Sequence, residues 1–511
     1  MKKLIAFVLC VQLSFAAMAA AWTGSIATSY AGGNGSKENP FQIATPDQLA
    51  LLGDTVNTKG KTYFGKFFVL TADLDLSNLP WSPIGGISAT TTAPALMFKG
   101  ALDGQNFKIM NLSYTSTSGY VGLFGYAKRA TFKNLEIASG SVQGGFNVGA
   151  LVGRADSTVI FNCKNAAAVK GTVPQGGATW VGGIAGNIGG VGTIIEYCSN
   201  SGAINGSGEH VGGVIGNVSV TNLSTNKCHI AYCSNSGAVT TFTKKAGGIV
   251  GTVGGVYCPI DQCFNTGKVS VVQDAVGGIV GYAYGDYPIS NCYNTGEVAY
   301  SGTTNPAVFT AGILGYTSST TPQRYFKSIT NCYSNGVITG GCREVIVGQL
   351  NAGAPVGYGV VTNCFGLNRQ LNPENAVNGG LLQWSANFKT AGFVTSLNSD
   401  ATTPIWTIDA NLNGGFPIFV WQTVAVPSAP TALSAVEIAK FANVYASNKT
   451  INVELKENET VAVSVYNLTG ALIAQVKSTQ SLTTVAVPQA GLYIVKVSDA
   501  SRSFSTKVSV R

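Results

Sequence analysis

One phrase recurs along this sequence and constrains its fold more than any other feature. It is a Gly-rich apolar hexad followed by an Asn-Cys-aromatic-Asn turn, repeated about every 30 to 40 residues. The hexads are VGALVG (148–153), VGGIAG (181–186), VGGVIG (211–216), AGGIVG (246–251), VGGIVG (276–281) and TAGILG (310–315). The turns centre on Cys163, Cys198, Cys233, Cys263, Cys292, Cys332 and Cys364. A unit this short cannot bury an apolar face alone, so neighbouring copies must stack and share one continuous core.

Each unit reads as three short strands. The hexad is one, with glycines that let backbones approach closely at a corner. A second runs into the cysteine, as in GTIIEYC (192–198) and PISNC (288–292), and a third follows the turn, as in KVSVV (268–272). Helix-period segments are absent from 120 to 366, and FFVLTADLDLS (67–77) already alternates with period two. The expected fold is all-β: a parallel β-helix (solenoid) with coils about 4.8 Å apart, followed by a small C-terminal immunoglobulin-like β-sandwich.

The flanking segments set the domain plan. Residues 1–21 read as a signal peptide: Lys2 and Lys3, an apolar run from Leu4 to Phe15, and Ala19-Ala20-Ala21 as cleavage site. Residues 22–61 form an N-terminal segment, loosely ordered at first, and a capping helix started by Thr45, Pro46 and Gln48, with Leu49, Leu52 and Val56 on one face. The repeat body spans 62–366, a terminal coil or cap 367–425, a Pro-containing linker 426–435, and a domain of alternating strands 436–511.

Composition narrows the function. Sixty-four glycines and 11% charged residues describe turns and a Ser/Thr/Asn/Tyr surface rather than an ordinary enzyme. The formal charge of +8 is scattered, with no basic run longer than Lys244-Lys245 or Lys128-Arg129, which argues against nucleic acid. After the signal no stretch has the roughly 18 apolar residues of a membrane helix. A monomer without cofactor is expected.

Seven cysteines at one per unit, with no CxxC pair among them and only His210 and His229 in the chain, do not make a metal site. They read as a column of buried thiols filling the core. Cys228 and Cys258 differ: each stands five residues before its turn cysteine, so in-register coils bring them side by side, and a disulfide between them is expected in an exported chain. Asn165, Asn200, Asn235, Asn265 and Asn294 read either as an amide ladder or simply as good turn formers. Tyr197, Tyr232, Phe264, Tyr293, Tyr333 and Phe365 flank the cysteines; such a stripe can stack sugar rings, but shielding the sheet is its commoner use. Asp73 and Asp75 share a strand face, an arrangement of glycosidases and calcium sites, but more often of turn caps. No HExxH, GxSxG or Walker motif is present, and no catalytic residue is assigned.

The repeated [VA]GGI[AV]G text with NCYNTG resembles the GLUG repeat family, and PFQIATPDQLALLGD, WSPIG and FKGALDGQNFKIMNLSY resemble the segment that precedes such repeats. That resemblance covers roughly 39 to 366. It implies a β-helical extracellular scaffold of Bacteroidota-like surface proteins, often proposed to be adhesive, with no catalytic residues to carry over. The tail is similar to the type A C-terminal sorting domain of the type IX secretion system. VYNLTG (465–470), AGLYIVKV (490–497) and STKVSVR (505–511) stand at its motifs, through Tyr466, Asn467, Gly470, Gly491, Tyr493 and Lys507; VYASNK (444–449) replaces the customary Pro-Asn-Pro. The resemblance implies Sec export, passage across the outer membrane with type IX machinery as partner, and release or attachment at the cell surface. The combined expectation is a non-enzymatic adhesin or glycan- and matrix-binding scaffold that meets an extracellular glycan or host surface protein. The alternative is a polysaccharide-active β-helix enzyme, a lyase or glycoside hydrolase.

Overall fold

The computed structural model describes residues 21–510 apart from 87–95, 173–177, 191, 221–227, 256–257, 286, 304–307, 319–325, 351–358, 368–380, 384, 428–441, 448–449, 456–459, 468–470, 481, 490 and 499–502. The repeats stack as parallel coils whose strands form five parallel sheets, two of them eleven strands deep and the others seven or eight. At about 4.8 Å per strand, eleven strands make a rod about 48 Å long.

Each coil carries five strands, two more than the sequence suggests. One coil runs Val159–Phe161, Lys164–Asn165, Ala168–Gly171, Ala178–Gly182 and Ala185–Gly189 before Ile194–Glu196 begins the next. The turn asparagine belongs to a two-residue strand of its own. The hexad is not one strand but two, bent at its central residues: Val148 and Gly149 pair in one sheet, and Val152 onward in another. A two-residue strand has no readable period, which is why alternation alone undercounts them.

Register is held through the repeats apart from one bulge between Ala178 and Val181, so like residues form columns. Ile160, Ile195, Ile230, Ile260, Ile289 and Ile329 follow one another up one sheet. Val169, Ile204, Val239, Val269 and Val298 do so up another. All are essentially without solvent exposure and share one core. Because side chains alternate with period two, a slip of one residue would turn these columns outward.

A polar column lies inside this apolar one. Asn165 Nδ2 donates to Asn200 Oδ1, Asn200 to Asn235, Asn235 to Asn265 and Asn265 to Asn294, each at 2.8 Å. Asn294 Nδ2 ends the series on Ser334 Oγ at 3.3 Å. The second amide proton goes to the carbonyl two residues on, as from Asn235 to Gly237 O at 2.8 Å. All five amides point the same way, an arrangement in which each bond polarises the next.

The central glycine of the hexad makes room for these amides. A Cβ on Gly248 would lie 2.0 Å from the Gly278 carbonyl oxygen and 2.4 Å from Asn265 Cγ. One on Gly213 would meet Gly248 O at 2.0 Å and Asn235 Cγ at 2.4 Å. The two halves of the repeated phrase are therefore one device: the turn supplies the amide, and the hexad supplies the gap.

Helix α1 (Pro46–Lys59) closes the N-terminal end. Gln48 Oε1 accepts from Ala44 N at 2.8 Å and Thr45 N at 3.3 Å, and Leu49, Leu52 and Val56 enter the solenoid core. The segment before it packs on the first coil: Trp22 is buried against Trp81 at 5.6 Å, and Tyr30 OH lies 2.9 Å from Tyr63 OH. Apolar rings, not polar glycine-rich text, decide its order.

The C-terminal part has two pieces. WTIDANLNGGFPIFVW does not add a coil. Trp406–Thr407 pairs antiparallel with Ile418–Phe419, preceded by short helices α2 (Ser385–Phe388) and α3 (Ala391–Leu397). The last domain is a sandwich of a three-stranded and a four-stranded antiparallel sheet over a shared core of Ile451, Val453, Val463, Val465, Val495 and Val497.

Replacing Asn235 by Ala strands buried partners on both neighbouring coils and is expected to lower unfolding free energy by about 2 kcal/mol. Gly248→Ala, which forces backbone and amide apart, should be more damaging. Urea denaturation checks both; two neutral substitutions would refute the interlock.

Candidate functional site

The turn cysteines occupy the interior. Cys163, Cys198, Cys233, Cys263, Cys292, Cys332 and Cys364 are buried, each thiol donating to the carbonyl two residues earlier, as Cys233 Sγ to Ala231 O at 3.2 Å. Burial pushes the Cys163, Cys233, Cys263, Cys292 and Cys332 thiols well above their ordinary range, so they have no nucleophilic character. Among the described residues no three His, Cys, Asp or Glu side chains gather as metal ligands.

The disulfide expectation is corrected. Cys228 and Cys258 do lie on adjacent coils, two residues before the paired Ile230 and Ile260, and both are buried, but both thiols are free. Register sets the two residues side by side, and their sulfurs are not bonded to each other. Burial raises the Cys258 thiol further, next to its Cys228 neighbour.

Asp73 and Asp75 serve turns. Asp73 Oδ1 accepts from Lys108 N at 2.8 Å, and Asp75 Oδ1 from Ser77 N and Asn111 Nδ2 at 2.8 Å each. Neither carboxylate is left to pair with the other across a cleft.

The aromatic stripe beside the cysteines is buried at Tyr293, Tyr333 and Phe365 and half-buried at Tyr197, Tyr232 and Phe264. Tyr293 and Tyr333 stack at 5.2 Å with planes 3° apart, and Phe264 stacks on Tyr293 at 4.9 Å. Across them lies the segment containing α2, α3 and the Trp406–Phe419 hairpin, whose Phe388, Phe393, Leu397, Trp406 and Phe419 form one cluster with Tyr293, Tyr333 and Phe365. Tyr333 OH donates to Pro417 O, and Gln422 Nε2 donates to Tyr293 OH at 3.1 Å. Trp421 continues the cover, edge-on to Tyr197 at 5.8 Å and Tyr232 at 5.9 Å. The stripe is thus the seat of the chain's own C-terminal segment.

A second file of rings runs along the hexad flank, and it was not singled out in the sequence. Its members come from the residue or two before each hexad and from the outward positions of the strand after it. Ring centroids follow at 5.8 Å from Tyr126 to Tyr120, 5.7 Å to Phe146, 6.5 Å to Trp180 and 6.5 Å to His210. Lys245 Nζ then stands 4.9 Å over the Tyr282 ring, which stacks on Tyr316 at 5.6 Å, and Tyr316 on Phe309 at 5.0 Å. Every one of these side chains is partly open to solvent.

The backbone shows that these bulky residues are not there by local preference. Tyr120, Trp180, His210 and Lys245 have φ of 63, 48, 66 and 64°, the left-handed region, where the equivalent residue Asn147 (φ 51°) is the type a turn favours. A left-handed backbone costs about 1 kcal/mol for such side chains. Observed outliers of this kind are a reason to look for a use of the side chain.

Charges along this file are paired. Arg154 Nε meets Asp156 Oδ1 at 3.1 Å, and Tyr126 OH donates to Asp156 Oδ2 at 2.8 Å. Lys245 Nζ meets Glu209 Oε2 at 2.7 Å. Burial works to raise Glu209, but the Lys245 hydrogen bond and charge, together with the His210 and Lys244 charges, hold the carboxyl below its usual range. Burial, then the Lys245 charge, lowers His210 to about 4, so its ring is neutral near pH 7. His210 Nδ1 lies 2.6 Å from Thr252 Oγ1 and Nε2 3.7 Å from Glu209 Oε2, the outline of a nucleophile and base; Thr252 is wholly buried, which keeps its hydroxyl from any substrate.

The tail motif residues sit in the sandwich. Asn467 closes a turn, its Oδ1 accepting from Ala471 N at 2.9 Å, and Tyr466 pairs with Ile494. Gly491 pairs with Val510, Tyr493 OH donates to Gln489 O at 2.8 Å, and Lys507 pairs with Ile494. Gly470 lies outside the described residues, as does the expected signal peptide but for Ala21.

Known proteins match parts of this chain. A family model for a secretion system C-terminal sorting domain matches residues 446–511. Among curated proteins, halomucin of Haloquadratum walsbyi is 28% identical over 176 residues, 32% of this chain and 2% of the relative. A candidate Gly-rich membrane protein of Evansella cellulosilytica is 36% identical over 100 residues, 19% of this chain and 10% of the relative. The chain therefore spans a tenth or less of the length of these two relatives. A solved structure described as a candidate immunoglobulin A1 protease from Bacteroides ovatus aligns over 77% of this chain and 95% of its own, with 19% identity and a TM-score of 0.41. The matched tail makes the chain a type IX-sorted β-helix protein, secreted or held at the cell surface.

Two outcomes follow from this geometry. In the native protein a thiol reagent should modify exposed Cys342 first, with the nine buried cysteines reacting only after denaturation; loss of two thiols from that total would restore the disulfide. His210 has a folded pKa of about 4 against an ordinary 6.5, so its contribution to stability is present above about 6.5 and lost as pH falls toward 4. A His210→Gln variant should therefore lose less stability than the parent across that window, by on the order of 2 kcal/mol; parallel pH profiles would contradict the burial.

Proposed function

We propose that this protein is an adhesive or ligand-binding rod that works outside the cell without catalysis, its solenoid being built of GLUG repeats. The sorting tail supports the location, and the repeated VGGIVG and NCYNTG text supports the repeat family. One observation carries the binding role: of two aromatic files along the rod, one is buried under the C-terminal segment at Tyr293, Tyr333 and Phe365, whereas the other is partly open along its whole length with no such cover among the described residues. The open file keeps partly exposed rings over several coils without the apolar cluster that packs on Tyr293 and Tyr333. Repetition along the rod suits multivalent contact, in which individually weak sites add through effective concentration.

The competing reading is a polysaccharide-active enzyme. Its best support is the contact of His210 with Thr252, and the burial of Thr252 stands against it. Among the carboxylates described, Asp73, Asp75, Asp156 and Glu209 are each engaged in turn or ion-pair contacts.

Purified full-length protein should bind at least one member of a panel of extracellular polysaccharides and matrix proteins, and generate no new reducing ends or unsaturated sugars from any. Turnover of a polysaccharide would replace the binding role with the enzyme; absence of binding to every member would leave the rod a purely structural surface element.

A further inference from the structure

The open file narrows the class of partner, on the reading that the rod binds extracellular ligands. Its width is that of one side chain, and its length is that of several coils. Trp180, His210, Lys245, Tyr282 and Tyr316 succeed one another along the rod axis, their neighbours 4.9 to 6.5 Å apart where a ring contact joins them. A globular protein partner needs a broad patch of roughly 800 Å² on each side with an apolar centre. A single file of rings instead matches a linear polymer lying parallel to the axis, each unit placing a face on a ring.

Charge separates the polymers. Lys245 is 2.7 Å from Glu209, and Arg154 is 3.1 Å from Asp156. These pairs cancel in place. A polyanion, whether nucleic acid or an acidic glycan, is held by uncompensated cations and loses affinity steeply with salt. Between the rings lie hydrogen-bonding groups in a desolvated setting: the His210 imidazole, the Tyr126 and Tyr282 hydroxyls, and the ion pairs, each able to donate or accept without net charge. Rings for the apolar faces of a pyranose, with neutral polar groups at its edge, describe one chemistry.

We propose that the hexad flank, centred on Trp180, His210, Lys245, Tyr282 and Tyr316, is a binding site for a neutral polysaccharide chain running along the solenoid axis. No covalent step is involved. Affinity grows with chain length, because each added sugar meets the next coil, and it is nearly independent of ionic strength.

The test is calorimetric titration of the full chain with oligomer series of neutral polysaccharides (mannan, xyloglucan, β-glucan) and of anionic ones (polygalacturonate, heparin), at low and high salt. A paired Trp180→Leu and Tyr282→Leu variant keeps apolar bulk and removes the rings; Trp180→Phe keeps a ring. The expected result is length-dependent, salt-insensitive binding of a neutral series, weakened roughly tenfold or more in the leucine variant and retained in the phenylalanine one. Equal thermal midpoints in the three proteins show that the loss is not unfolding, and if the leucine variant fails to fold, quenching of Trp180 fluorescence by the neutral oligomer in the parent serves instead. Salt-sensitive binding of anionic chains alone overturns the ligand class while leaving a binding rod. Neutral binding unchanged by loss of the rings, or without a tryptophan signal, overturns the site. Silence toward all polysaccharides with binding to a matrix protein overturns this inference, and silence toward both overturns the binding role itself.

Discussion

The hydrogen-bonded column of asparagine amides inside the solenoid is the interaction on which the rest depends. Five buried amides linked at 2.8 Å tie together the coils from Asn165 to Asn294, each amide using its second proton on a carbonyl of its own turn. Leaving any of them unmade is expensive in an apolar interior, so the column enforces one register where an all-apolar core would tolerate several. Register then decides everything outside: the isoleucine and valine columns face inward, and the rings at equivalent positions fall into files. The glycine opposite each amide is part of the same constraint, since a single Cβ there would meet both the amide and the next coil's carbonyl.

Given that register, the two flanks take different fates for chemical reasons. At the cysteine flank the rings Phe264, Tyr293, Tyr333 and Phe365 stack into a flat apolar strip, and the chain returns to bury it under Phe388, Trp406 and Phe419. At the hexad flank the rings alternate with Arg154, Lys245 and the Tyr126 hydroxyl, each bound to a carboxylate, and with His210, bound to Thr252. Such a surface is stable in water without a cover. It keeps contact chemistry available along the rod, while the C-terminal sandwich carries the separate task of sorting.

Much of this was legible in the sequence and some was not. The repeat spacing of Cys163 to Cys364 revealed the solenoid, and Thr45-Pro46-Asp47-Gln48 the helix that closes it, because both rest on local rules that tertiary context did not override. The strand count was too low because two-residue strands such as Lys164–Asn165 have no period to detect. Cys228 and Cys258 were placed side by side correctly, yet proximity in a parallel stack is not disulfide geometry. The hexad-flank file escaped because its members come from Tyr120, Trp180, His210 and Lys245, which share no residue type. What unites them is a left-handed backbone just before the hexad, and the available signal was positional: bulky side chains recurring where Asn147 shows what a turn would take.

The amide column is open to direct observation. In protein labelled with nitrogen-15 and carbon-13 at asparagine and transferred to deuterium oxide, the Nδ2 protons of Asn165, Asn200, Asn235, Asn265 and Asn294 should exchange on the timescale of global unfolding, with scalar coupling across the four Asn-to-Asn bonds from amide nitrogen to the next coil's side-chain carbonyl carbon. Prompt exchange of these side chains, or couplings absent from all four bonds, would mean that the coils are not locked in phase, and the columns and open file derived from that phase would fall with it.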